Sequence, residues 1–172
     1  MTRLIAPDPD RYEEFVELVA DSDETNDGIP HGSGLWEPGT GTTPEGFAAH
    51  VAVSALRADP SVVPPDGKVR CTQFWIADDE GALVGFLSLR HELNDFLREK
   101  GGHIGYSVRR SRRREGHAKA ALGLAVAHAR TLGVDRALVT CDEDNVASAA
   151  TIESQGGVLE DVRNGKRRYW IS

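Results

Sequence analysis

Cysteine is scarce in this chain, and a long apolar run is missing altogether. Cys71 and Cys141 are too few for a disulfide framework and lack the spacing of a metal-ligand pair. Both read as reduced thiols filling buried strand positions. No apolar stretch approaches the roughly 20 residues that span a bilayer. The opening Met1-Thr2-Arg3-Leu4-Ile5 has no apolar signal core. No membrane partner and a cytoplasmic location are therefore expected. Gly-Lys-Ser and Gly-Lys-Thr do not occur, which excludes a nucleoside-triphosphate loop. Basic residues are also in deficit, 20 against 27 acidic, for a formal net charge of -7. Such a surface repels a phosphate backbone, so no nucleic-acid partner is expected. Internal repeats and low-complexity tracts are absent.

What remains is the composition of a folded domain: 172 residues, 40% apolar and 27% charged, enough to bury a core. The pattern predicts a first strand at residues 3–5. A helix then starts at Asp8-Pro9-Asp10, with Tyr12, Phe15, Val16 and Val19 as its apolar stripe. From Asp21 to Thr43 the chain is polar and glycine-rich, with Trp36 its one large apolar residue, and reads as a long surface loop. A second helix over 44–57 is ended by Pro60, Pro64 and Pro65. Strands at 73–77 and 83–89 flank the hairpin turn Asp78-Asp79-Glu80-Gly81. A short helix at 93–99, a strand at 103–108, a helix at 116–132 closed by Gly133, a strand at 137–141 and a helix at 147–154 follow. A last hairpin pairs 158–162 with 168–171 across Asn164-Gly165. This order predicts a mixed α/β fold: a largely antiparallel sheet, one parallel pair made by the strand–helix–strand unit, and helices on both faces.

Five arginines, at positions 109, 110, 112, 113 and 114, crowd the turn between the 103–108 strand and the helix that follows Gly116. A helix start offers outward N–H groups and partial positive charge, and a glycine lets a phosphate approach the main chain. The turn reads as an anion site; a merely solvated basic turn and a nucleic-acid arm are the alternatives. Arg113, Gly116 and Ala118, in this spacing, resemble the acyl-CoA loop of the Gcn5-related N-acetyltransferases (GNAT), and the resemblance extends over about 70–170. Gly101-Gly102-His103-Ile104-Gly105-Tyr106, Ile152-Glu153 ahead of Gly156-Gly157, and Arg168-Tyr169-Trp170-Ile171 are similar to a bacterial subgroup of that family.

The resemblance implies an acetyltransferase fold over 1–172, with residues 8–60 on the acceptor side, and an acetyl-CoA-dependent N-acetyltransferase acting on a primary amine. That acceptor is a small molecule or a peptide. Net acidity favours a cationic acceptor. Coenzyme A would lie on the main chain of Arg114, Glu115, Gly116, His117, Ala118 and Lys119, with the arginine side chains, Arg113 included, on phosphate oxygens. Tyr106, Ser107 and Val108 would pair with the pantetheine arm and supply an N–H to the carbonyl oxygen. Asn145, with Ser148 three residues on, matches the family's pantetheine-binding Asn, a role that coexists with a plain helix N-cap. A homodimer is a further implication. The acids at 142–144 lack the glycine and bidentate glutamate of a calcium loop, so no metal is expected.

The family's catalytic pattern is broken in two places. Ile152 stands where many relatives place the tyrosine that protonates the leaving thiolate, and Thr140 where some carry a glutamate base. His103 is the titratable candidate for proton removal, against the plain reading of an edge-strand histidine. An acyl-CoA-binding or regulatory module that has lost catalysis is the competing function.

Overall fold

A computed structural model describes residues 1–22 and 37–172. Most of the glycine-rich loop expected between Asp21 and Thr43, Trp36 included, therefore lies outside the described residues. The elements run β1 (Arg3–Ile5), α1 (Tyr12–Ala20), α2 (Pro44–Ala58), β2 (Cys71–Ala77), β3 (Leu83–Arg90), a π-helical turn (Leu97–Gly101) and β4 (Ile104–Val108). After a 3-10 turn (Arg110–Arg112) come α3 (His117–Thr131), β5 (Ala137–Asp142), α4 (Val146–Glu153), β6 (Val158–Arg163) and β7 (Lys166–Ile171).

One seven-stranded sheet has the order β1-β2-β3-β4-β5-β7-β6. Among the described residues, five neighbouring pairs are antiparallel and β4–β5 alone is parallel. The β2–β3 turn closes as its residues dictate: Asp78 Oδ1 accepts from the N–H groups of Glu80 (3.0 Å) and Ala82 (2.9 Å), and Gly81 takes a φ of 94°. The first helix begins later than expected. Asp8 spends its carboxylate on the Asp10 N–H at 2.9 Å, closing a local turn rather than capping a helix, so α1 starts at Tyr12. The 93–99 helix is likewise shorter and shifted to a single wide turn, with Asn94 Oδ1 accepting from Leu97 N–H at 2.9 Å.

Side chains alternate across the sheet with period two and feed two cores. Trp75 and Phe86 join Phe15, Leu18 and Phe47 beneath α1 and α2. Their neighbours Ile76 and Leu87 face the other way, into the core with Ala121, Leu122 and Ala125 of α3 and Ile152 of α4. The sheet is thus covered on both faces, and any opening through it must come from a failure of strand pairing.

Candidate active site

Such a failure occurs at the parallel pair. β4 and β5 are in register only at Ile104↔Val139 among the described residues. At the ends of the β3–β4 ladder, Arg90 N–H donates to the His103 carbonyl and Arg109 N–H to that of Val84. Combined with the register Phe86↔Ser107, these bonds set the phase: Gly105 and Ser107 exchange main-chain bonds with β3. The main-chain groups of Tyr106 and Val108 consequently face the β5 side, where the strands have parted.

Two cavities meet at this gap. One, of about 920 Å³, is lined by Tyr106, Ser107 and Val108, by Arg112, Arg113, Arg114, Gly116, His117, Ala118 and Lys119 of the turn, and by Asn145, Ala147, Ser148 and Thr151. The other, of about 570 Å³, opens beside Arg57, Cys71, Gln73 and Arg90 and reaches Tyr106, Thr140, Asp142, Asn145 and Ser148. Cys71, Gln73 and Arg90 alternate in phase with Trp75 and Phe86, which puts them on the α1/α2 face; the first cavity belongs to the α3/α4 face. Tyr106, Asn145 and Ser148 line both. At that junction the Tyr106 hydroxyl and Ser148 Oγ are 2.9 Å apart. Burial is the largest influence on the Tyr106 phenol and pushes its pKa up to about 12, so it stays protonated at any ordinary pH.

The arginine turn enters α3 through two left-handed residues, Arg114 (φ 65°) and Gly116 (φ 87°). No side chain among the described residues caps the helix, which leaves its first N–H groups for the cavity that Gly116, His117, Ala118 and Lys119 line. A Cβ built on Gly116 would meet nothing within 4 Å, so open space lies against the main chain here. Together with the positive dipole end and Lys119, this cradle suits a diphosphate, and the fit to coenzyme A holds on these grounds. Asn145 caps α4, its Oδ1 accepting from Ser148 N–H at 3.0 Å, while it also lines both cavities.

The arginines themselves divide, which the sequence reading did not anticipate. Arg109 donates to Asp21 at 2.7 Å. Arg112 pairs with Asp78 at 3.0 Å and Glu115 at 2.9 Å. Arg113 donates through Nε to the Val108 carbonyl at 3.0 Å. Arg109 and Arg112 therefore tie the turn to α1 and to the β2–β3 hairpin. Arg114 and Lys119, both exposed, are left with side chains turned to solvent beside the cradle.

His103 lines neither cavity. Its Nδ1 accepts from Leu138 N–H at 2.9 Å, its ring lies edge-on to Trp170, and only 7% of it is exposed. Burial, with Arg98 and Arg90 nearby, lowers its pKa to about 4. It locks β4 to β5 at the point where the pair still holds. Ile152, in the family's tyrosine position, is fully buried. Thr140 does line the cavity of about 570 Å³, with its hydroxyl donating to the Lys100 carbonyl at 2.6 Å. The sequence suggested a role for the main chain of Tyr106 alone, not for its side chain. Its hydroxyl became part of the site because β4 faces α4 across the gap.

A family model described as the acetyltransferase (GNAT) family matches residues 48–156. The chain belongs to that family. Solved structures agree on the fold. The microcin C7 self-immunity acetyltransferase MccE, solved with acetyl-CoA and AMP, superposes with a TM-score of 0.66 at 17% identity, over 98% of this chain and 91% of that one. The spermidine/spermine N-acetyltransferase SpeG from Vibrio cholerae gives 0.63 at 15% identity, over 99% and 92%. The GNAT domain of S. lividans PAT gives 0.62 at 14%, over 99% and 88%. No curated protein sequence matches this chain. Among the described residues of this acetyltransferase-family chain, no helix is long and apolar enough to cross a membrane.

Proposed function

We propose that this chain transfers the acetyl group of acetyl-CoA to a primary amine, by direct attack while donor and acceptor are held together. The observation that carries the reading is the junction: two cavities on opposite faces of the sheet share Tyr106, Asn145 and Ser148 where β4 and β5 part. The cradle at Arg114, Gly116 and Lys119 would hold the phosphates, and the exposed edges of Tyr106 and Val108 the pantetheine arm. Bound there, the coenzyme supplies an activated acetyl thioester. The main-chain N–H groups of Tyr106 and Val108 offer donors to a carbonyl oxygen gaining charge. Tyr106, positioned by Ser148, supplies the proton to the departing sulfur, taking from β4 the role that Ile152 cannot perform from α4. Holding amine and thioester across one opening provides the proximity that such a transfer requires. The cations around the acceptor cavity favour the neutral, nucleophilic form of the amine.

The test is release of free coenzyme A thiol from acetyl-CoA in the presence of an amine panel, alongside calorimetric titration with coenzyme A. Saturable turnover with at least one amine is expected. Tight coenzyme A binding with no thiol release from any amine would instead establish the non-catalytic acyl-CoA-binding module.

A further inference from the structure

The acceptor-side cavity carries a charge opposite to that of the protein as a whole. The chain has 27 acidic residues against 20 basic ones, yet among the described residues this cavity is lined by five cationic side chains, Arg57, Lys68, Arg90, Lys100 and Lys166, and by two carboxylates, Glu37 and Asp142. Asp142 is taken by Lys166. Glu37 is shared between Arg57 and, at 3.7 Å, Lys68. Arg90 has no carboxylate among the described residues: its Nη1 donates to the Gly101 carbonyl at 3.2 Å, an uncharged partner. Burial lowers the Arg90 pKa and the nearby Arg57 lowers it further, against a raising contribution from Cys71. Arg57 Nε is itself buried, with no partner among the described residues. Drawing the Arg90 guanidinium out of water without a counter-charge is costly, and the cost is relieved when an anion arrives. Guanidinium groups are also the best-suited side chains for carboxylate or phosphate oxygens.

From this, and resting on the acetyl-transfer reading above, we infer that the acceptor is an amine bearing an anionic group, a carboxylate or a phosphate, which Arg90 and Arg57 hold while the amine reaches the Tyr106–Ser148 junction. Polyamines and other polycations are excluded by the same field, although the fold is shared with a spermidine/spermine acetyltransferase. This inference departs from the cationic acceptor expected from net charge, because net charge does not describe the local field. The register gives the scale. Arg90 stands opposite His103, three residues along β4 from Tyr106, an offset of about 10 Å at roughly 3.3 Å per residue. The Arg90 side chain covers part of that span, so several bonds should separate amine and anion.

The experiment compares kcat/KM for 6-aminohexanoate, 3-aminopropyl phosphate, n-hexylamine and spermidine at fixed acetyl-CoA. It also titrates the two anionic amines into the protein–coenzyme A complex by calorimetry. The anionic amines should exceed hexylamine at least tenfold, with spermidine poorest, and the better of the two identifies the anion. In Arg90→Gln the ratio of 6-aminohexanoate to hexylamine should collapse towards one, and Arg90→Lys should restore part of it. Lys68→Gln, at a half-exposed position, should reduce the ratio severalfold and serves if Arg90→Gln does not fold. Equal or better use of hexylamine or spermidine would overturn the inference while leaving acetyl transfer intact. Absence of turnover with every amine would sink the acetyl-transfer reading. The calorimetry then still decides the anion site: Arg90-dependent binding sustains it, and no binding removes it.

Discussion

Removing one oxygen tests the proposed chemistry most directly. In Tyr106→Phe the ring keeps its packing, but the hydroxyl 2.9 Å from Ser148 Oγ is lost. The structural cost should be small, about 1 kcal/mol for one partly buried hydrogen bond. The catalytic cost should be larger, because general-acid help is worth roughly 10²–10⁴ in rate. A fall in kcat of about 100-fold is expected, which corresponds to about 2.7 kcal/mol of transition-state stabilisation. The coenzyme A dissociation constant should stay within about threefold, since the phosphate cradle is untouched. Steady-state kinetics, coenzyme A calorimetry and a urea titration separate the three quantities. The pH profile adds an independent check. With the Tyr106 pKa near 12, loss of its proton should not depress wild-type kcat between pH 8 and 10. If Tyr106→Phe keeps kcat within threefold of wild type, or loses coenzyme A affinity instead of kcat, the assignment of Tyr106 as the proton donor is wrong.

Three further outcomes follow from the same geometry. Gly116→Ala forces a Cβ onto a backbone with φ 87°, costing about 1–2 kcal/mol of stability, and intrudes on the open cradle; coenzyme A affinity should fall at least tenfold by calorimetry, and an unchanged affinity would count against the cradle. Ile152→Tyr, which restores the family's residue, should destabilise by about 1–3 kcal/mol through overpacking of a fully buried site and should not raise kcat; a stable, faster variant in urea melts and kinetics would contradict this. His50 is buried against Phe15 and Trp75, and burial lowers its pKa to about 4. The unfolded chain takes up that proton near pH 6.5, so the stability from this group is present above 6.5 and lost as pH falls towards 4. The loss at pH 5 is about 2 kcal/mol. His50→Phe keeps the stack without the titration, so its urea-derived stability should drop less between pH 7 and 5 than wild type; an equal drop would refute the attribution.

Local chemistry determined much of this protein before any fold was considered. The Asp78–Gly81 hairpin, the stripe of the helix after Gly116, the Asn164-Gly165 turn and the Arg113–Gly116–Ala118 spacing act through hydrogen bonds and backbone preferences within a few residues. They are therefore legible in one dimension, as is the parallel pair implied by a strand–helix–strand unit. Element ends were less so. Asp8 had two local uses for one carboxylate, and the structure chose the turn. The roles of side chains were decided by tertiary structure alone. Arg109 and Arg112 found carboxylates at the C-terminal end of α1 and on the β2–β3 turn, 88 and 34 residues away in the chain. His103, expected beside the chemistry, was consumed by a main-chain N–H of β5. Tyr106 met Ser148 only because β4 and β5 part, and a strand sequence carries no mark of where its neighbour will leave it. The field in the cavity beside Arg57 and Arg90 is of the same kind. It arises from cations on α2, β3, β7 and two connecting segments, summed in space, and an acidic chain can hold a basic pocket because charges interact by distance and burial rather than by sequence order.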